Sequence, residues 1–160
     1  MCYQIVFAQA DAEYELRSIL LESDMDIAGD IQEHVLIKKD NEIWGGAMLA
    51  QTDQDMFHLL VFAVKQGERN KGIGSRLLNE LIIKPWKYCR DTIGIAVDNY
   101  QITTVAKGKS AVFYHKNGFI NCDFSKLPYP FSKQCDGCPD MRDCNPSAMI
   151  FLGPGGRAGA

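Results

Sequence analysis

Nine residues, Met56 to Val64, run with a single histidine as their only polar break, and a glycine-bearing polar turn and a helix-patterned segment follow them. A run of that length and apolarity predicts a strand covered on both faces, hence a central one. Its most apolar part, Leu59 to Val64, is far too short to span a bilayer. Beyond the turn, Ile73, Leu77, Leu78, Leu81 and Ile82 form the apolar stripe of a helix. Arg76, Asn79 and Glu80 fall on its outer side, and Pro85 ends or kinks it.

The rest of the chain supplies further elements. Tyr3 to Ala8 reads as a strand, and Asp11 as the cap of a helix in which Ala12, Leu16, Ile19 and Leu20 recur. Val35 to Lys38 and Ile43 to Ala50 are strand candidates, with Gly45 and Gly46 marking a bulge or a close backbone approach. Thr92 to Val97 reads as a buried strand and Asp98 to Gly108 as a long loop. Ser110 to Lys116 is a short helix stopped by Asn117-Gly118. Phe119 to Phe124 and Ala148 to Leu152 are strands, with a proline- and cysteine-rich loop from Leu127 to Pro146 between them. This order predicts a mixed α/β fold around one central sheet. A length of 160 residues with 46% hydrophobic side chains suits one domain over residues 1–152. The glycine-rich tail from 153 to 160 is expected to be disordered.

The formal charge of -3 and pI of about 5.6 give no pull toward nucleic acid or anionic lipid. The start, Met-Cys-Tyr-Gln, lacks the basic and apolar stretches of a signal peptide. A cytoplasmic location is the expectation, and with it six cysteines that serve as thiols or metal ligands rather than structural disulfides.

The strongest chemical signal is Val64-Lys-Gln-Gly-Glu-Arg69-Asn-Lys-Gly72-Ile-Gly74. Glycines let backbone N–H groups approach a ligand, and the first turn of a helix offers donors and a positive dipole end. With Arg69 and Lys71 adding charge, the turn suits a pyrophosphate. It is not a Walker loop, because Ser75 and Arg76 follow Gly74 where Lys and Ser/Thr are needed. It is not a dinucleotide fingerprint, because Leu77 stands where a third glycine belongs. Taken alone, the glycines equally suit a turn with no ligand. A second block, Ser110-Ala-Val-Phe-Tyr114-His-Lys-Asn-Gly118-Phe119, accompanies it at a set spacing.

Together the two blocks resemble the acetyl-CoA signature and the tyrosine segment of the GNAT superfamily of N-acetyltransferases. The resemblance covers roughly residues 3–152. It implies a mostly antiparallel central sheet flanked by helices, with acetyl-CoA as co-substrate and its pyrophosphate held by the turn. Carried onto this chain, the cofactor contacts are Phe62, Ala63, Val64, Glu68, Arg69, Asn70, Lys71, Gly72, Ile73, Gly74, Ser75 and Asn99. A backbone N–H near Phe62 to Val64 is the implied oxyanion donor, and Tyr114 the implied acid that protonates the departing sulfur. The family's asparagine, three residues before the tyrosine segment, is replaced by Lys107. Tyr100 to Lys107 therefore reads as an insertion that repositions Asn99 or forms a lid.

An ammonium near pKa 10 must lose its proton before it attacks a thioester. His58 is the candidate base, with Glu33, His34 and Glu42 as weaker ones and ordered water as the alternative to all of them. Cys135-x-x-Cys138-x5-Cys144 supplies three candidate ligands for zinc, with Cys122 or Cys89 as a fourth. Reduced thiols on a loop, or a disulfide formed on handling, are the alternatives. The aromatic stretch Leu127-Pro-Tyr-Pro-Phe131 beside them is placed to shape an acceptor pocket. The function expected is acetyl transfer to a primary amine by direct attack, the acceptor being a small molecule or a peptide. Neither nucleic acid nor membrane is an expected partner, and the protein is expected as a monomer or homodimer. A non-catalytic acyl-CoA-binding module, or a metal- or thiol-sensing one on the same fold, is the competing reading.

Overall fold

The structure is a computed structural model that describes residues 3–68, 72–90, 92–93, 99–139 and 144–153. Seven strands form one sheet in the order β1-β2-β3-β4-β5-β7-β6. They are β1 (Gln4–Phe7), β2 (Val35–Lys39), β3 (Glu42–Asp53), β4 (Met56–Val64), β5 (Gln101–Lys107), β6 (Ile120–Asn121) and β7 (Pro146–Phe151). The helices are α1 (Glu13–Leu21), α2 (Ile73–Ile83) and α3 (Ser110–Lys116). The pairs β1–β2, β2–β3, β5–β7 and β6–β7 are all antiparallel. The mixed, mostly antiparallel sheet expected from the sequence is what the chain forms, and the strand read as central is the fourth of seven.

The chain divides into two compact units. The first comprises residues 1–50 and 59–92, the second residues 51–58 and 93–160. In the first unit, Leu16, Ile19 and Leu20 of α1 join one buried cluster with Leu36, Ile43, Met48, Val61 and Ala63. The period of 3.6 on the helix and of 2 on the strands brings these residues to a common face. Asp11 is not the cap expected of it: it lies inside a short 3-10 turn, Ala10–Ala12, whose N-cap is Gln9. Opposite β2, the register shifts between Ile37, which faces Gly45, and Lys38, which faces Ile43. Trp44 is therefore the extra residue of a bulge, next to the glycines that marked it. A side chain at Gly45 would stand 2.7 Å from the carbonyl oxygen of Ala63. Both features that the two glycines allowed are thus present at once.

In the second unit the ring of Phe57 meets that of Tyr100 edge-on, and Phe119 packs on Phe151. Here the structure corrects the sequence reading most. Gln101 to Lys107 is no loop or inserted lid but strand β5, which pairs with β7 over six residues from Ile102–Phe151 to Lys107–Pro146. The misreading has a physical cause: Thr103 and Thr104 look like surface residues, yet both are buried and hydrogen-bonded. Of the strand expected at 92–97, Thr92 and Ile93 lie outside any strand and the remaining residues fall outside those described. The strand expected over 119–124 shrinks to Ile120–Asn121, and the loop after it carries two 3-10 turns, Phe124–Lys126 and Phe131–Lys133. The last strand starts two residues early, at Pro146, where a missing N–H at a strand's first position does no harm.

Candidate active site

The first unit holds the glycine turn. Strand β4 ends at Val64, and the N–H of Lys65 still donates to the carbonyl of Trp44 at 2.7 Å. A 3-10 turn, Gln66–Glu68, follows, fastened by the N–H of Gln66 to Oε1 of Glu22 at 2.9 Å. Arg69, Asn70 and Lys71 lie outside the described residues. The chain is described again at Gly72, the N-cap of α2, where φ is +79°. That left-handed value favours glycine, and a Cβ built there would meet nothing within 4 Å. The glycine is thus required by backbone conformation and leaves open space in front of the helix. Ile73 is buried and anchors the first turn, and the N–H of Arg76 closes it on the carbonyl of Gly72 at 3.0 Å.

A groove of about 660 Å³ runs along one side of α2. Gly72, Ser75, Arg76 and Asn79 line it at helical spacing, with Tyr3 just before β1 and Lys87 beyond the helix. The Arg76 guanidinium lies over the Tyr3 ring at 5.0 Å. The sequence marked Arg76 only as outward-facing. Its place three residues after Ile73, one turn from the glycine, was the signal that it shares a face with the turn.

The second unit holds the candidate catalytic side chains. His58, on β4, is 2% exposed, and its Nδ1 lies 2.8 Å from Oγ1 of Thr103 on β5. The Thr103 hydroxyl in turn donates to the carbonyl of Phe57 at 3.4 Å. Thr103 thus anchors the imidazole through Nδ1, leaving Nε2 as the ring nitrogen that this hydroxyl does not engage. The imidazole is stacked on Phe131, with centroids 4.0 Å apart and planes 10° from parallel. Burial lowers its pKa to about 4, so the ring is neutral at pH 7.

Tyr114, on α3, is also buried, between the rings of Phe113 and Phe119. Its hydroxyl is hydrogen-bonded to the side chain of Thr104, and burial pushes its pKa well up, so the phenol keeps its proton at neutral pH. Thr103 and Thr104 are consecutive on β5, and consecutive strand residues point to opposite faces. His58 and Tyr114 therefore attach to opposite faces of the same strand. Asn99 is exposed and stands in irregular backbone two residues before that strand.

The weaker base candidates have structural partners. Nε2 of His34 accepts from the N–H of Ala28 at 3.1 Å, and its Nδ1 faces the carbonyl of Asp30 at 2.9 Å. Glu33 accepts from the N–H of Asp30 at 3.1 Å, and Glu42 pairs with Lys65 at 2.9 Å on the surface.

Among the described residues no group of three or more His, Cys, Asp or Glu side chains, Cys135, Cys138 and Cys144 included, is arranged to hold a metal ion. Cys89, Cys122, Cys135, Cys138 and Cys144 are free. Burial pushes the Cys89 thiol up to about 12, which makes it inert as a ligand or nucleophile. Among the described residues no helix is long and apolar enough to cross a membrane.

Comparison with known proteins extends these observations. A family profile described as Acetyltransferase (GNAT) domain matches residues 30–121, more than half of the chain. Comparison with curated protein sequences finds no match. Among solved structures, N-acetylglutamate synthase from Neisseria gonorrhoeae, complexed with coenzyme A and N-acetyl-glutamate, superposes with a TM-score of 0.71 at 18% identity. That match covers 95% of this chain but 35% of the synthase, so the chain spans about a third of that protein's length. A GNAT-family acetyltransferase from Staphylococcus aureus Mu50 gives a TM-score of 0.67 at 21% identity over 94% of this chain and 99% of its own. The ribosomal-protein-S18-alanine N-acetyltransferase from Escherichia coli gives 0.63 at 14% identity over 94% of both chains.

Proposed function

The chain belongs to the GNAT acetyltransferase family, and from that premise we propose that it is an N-acetyltransferase, moving the acetyl group of acetyl-CoA to a primary amine by direct attack. Two structural neighbours support the choice of nitrogen as acceptor. One carries coenzyme A and N-acetyl-glutamate, and the other acts on ribosomal-protein-S18 alanine.

The observation that carries the reading is the placement of His58 and Tyr114 on opposite faces of β5 through Thr103 and Thr104. Aminolysis of a thioester moves charge in two directions. The amine loses a proton as its nitrogen bonds to the carbonyl carbon, and the sulfur gains one as the C–S bond breaks. A neutral imidazole can accept the first proton. A protonated phenol is suited to the second, where it hydrogen-bonds to the developing thiolate. In this reading the amine enters on the His58 side and the sulfur leaves on the Tyr114 side. His58 is the base in this reading, and Tyr114 the acid.

Coenzyme A is assigned to the glycine turn. Its pyrophosphate faces the backbone from Glu68 to Ser75, the open space before Gly72 leaves room for it, and Arg69, Asn70 and Lys71 complete the turn. Phe62, Ala63 and Val64 carry the main chain alongside the thioester, with one N–H as oxyanion donor, and Asn99 is a further contact. Arg76 and Lys87 in the adjoining groove supply cations for the remaining phosphate, on the ribose.

The test is a screen with acetyl-CoA labelled in the acetyl group against amino acids, polyamines, aminoglycosides and peptides with free amines. A labelled N-acetyl product that requires enzyme establishes the reading. Binding of acetyl-CoA with no product from any class favours the non-catalytic alternative.

A further inference from the structure

The loop between β6 and β7 carries chemistry that acetyl transfer does not use. Cys135, Asp136, Gly137 and Cys138 form a tight turn in which the N–H of Cys138 donates to the carbonyl of Cys135 at 3.3 Å. Gly137, its third residue, has φ +71°, and a Cβ there would meet nothing within 4 Å. The glycine is demanded by the turn and not by crowding. A turn of this kind holds its first and last Cα atoms within about 7 Å, which is the range a disulfide spans. Cys138 is exposed and Cys135 is half-buried. Cys144 also neighbours Cys135, and its carbonyl accepts the N–H of Gly108 at 2.9 Å beside the end of β5.

The turn is also tied to the candidate base. The N–H of Phe131 donates to Pro128 at 2.7 Å, that of Gln134 to Phe131 at 3.2 Å, and that of Asp136 to Lys133 at 3.1 Å. These overlapping turns form a continuous hydrogen-bonded path from the thiols to Phe131, whose ring covers the imidazole of His58.

We propose that Cys135 and Cys138 are a reversible dithiol–disulfide site, oxidised by low-molecular-weight disulfides, and that its redox state sets the seat of Phe131 on His58. The exposed Cys138 attacks first as the thiolate. It breaks the S–S bond of the small disulfide, forms a mixed disulfide and releases one small thiolate. Cys135 then attacks the sulfur of Cys138 and releases the second. Both cysteines are oxidised, one small disulfide is reduced to two thiols, and the two cysteine protons end on the released thiolates. Burial and the neighbouring Cys144, Cys138 and Asp136 push the Cys135 thiol up, which suits the slower, resolving partner. The site requires no acetyl acceptor, so it stands or falls apart from the transferase reading.

The experiment uses the full chain, reduced and then equilibrated over ratios of reduced to oxidised glutathione. Acid quenching, alkylation and peptide mass mapping read the thiols, and ring C–H resonances of His58 read the loop. The expected result is a Cys135–Cys138 peptide lighter by two hydrogens, with Cys89, Cys122 and Cys144 alkylated. The His58 resonances shift over the same ratios, and Cys138→Ser abolishes both changes. Full alkylation of Cys135 and Cys138 at the most oxidising ratio overturns the proposal, as does pairing through Cys144. A disulfide that leaves His58 unshifted overturns the coupling to Phe131. Zinc retained by the reduced protein in equal amount, shielding these thiols from alkylation, overturns the redox assignment.

Discussion

Two threonines that follow one another on β5 hold the side chains on which the proposed chemistry depends, Thr103 the imidazole of His58 and Thr104 the phenol of Tyr114. If Tyr114 hydrogen-bonds to the departing sulfur, Tyr114→Phe lowers kcat by roughly ten- to ten-thousand-fold and leaves acetyl-CoA affinity nearly unchanged. Steady-state turnover and calorimetry on one preparation separate the outcomes: a near-normal kcat makes Tyr114 a packing residue, and a loss confined to affinity makes it a positioning one. His58 gives a stability prediction that needs no acceptor. Its folded pKa of about 4 lies below the ordinary 6.5, so between these values the unfolded chain binds the extra proton. Stability is complete above about pH 6.5 and falls as pH drops toward about 4, by roughly 3 kcal/mol for this residue. Burial lowers His34 in the same direction, so His58→Gln flattens the fall in Tm over that window without abolishing it. An unchanged slope refutes the assignment. Arg76 tests the groove: Arg76→Ala should weaken coenzyme A severalfold and leave dephospho-coenzyme A unaffected, and equal losses for both ligands would remove the ribose phosphate from that position. His58 and Tyr114 were both visible in the sequence. Their anchoring threonines were not, because buried hydroxyls and solvated ones look alike until their partners are known.

At the scale of elements, strand, turn and helix from Met56 to Ile83 were legible because each carried its own local signal. The strand was an unbroken apolar run, the turn had its glycines, and the helix had a stripe stopped by Pro85. β5 was illegible for the converse reason. Its alternation is hidden by polar residues whose satisfaction depends on β4, far away in sequence, and on the packing of α3, the helix that follows. The bulge at Trp44 was half legible, since the glycines flagged it but only pairing with β2 shows which residue is extra. Gly45 gives the sharpest test of this region. A methyl group there meets the Ala63 carbonyl at 2.7 Å and the Val64 Cα at 3.2 Å, both main-chain atoms that cannot rotate away. Gly45→Ala should therefore cost about 1–3 kcal/mol in urea unfolding, and a change below about 0.5 kcal/mol would contradict the close approach. Gly72 differs in kind, because its surroundings are open and only φ restricts it. Gly72→Val strains the turn and fills the space assigned to the pyrophosphate, so it should weaken coenzyme A binding severely. Unchanged affinity by calorimetry would place the ligand elsewhere.

For the whole molecule, the family profile and the sheet order establish an acetyltransferase fold, and the proposed reaction follows from how its side chains are held. Direct attack requires that every acetyl group leaving coenzyme A reach the amine without resting on the protein. The free thiols at Cys122, Cys135, Cys138 and Cys144 make the competing route concrete, since a thiolate can also take an acetyl group from a thioester. The decisive measurement is a rapid-quench time course with labelled acetyl-CoA and an accepted amine. It records free coenzyme A, N-acetyl product and the intact mass of the protein in the same samples. The account predicts that coenzyme A and N-acetyl product rise together in equal amounts from the first turnover, with the protein at its unmodified mass throughout. A burst of coenzyme A ahead of product, accompanied by an acetylated protein that then passes its acetyl group to the amine, would contradict direct attack.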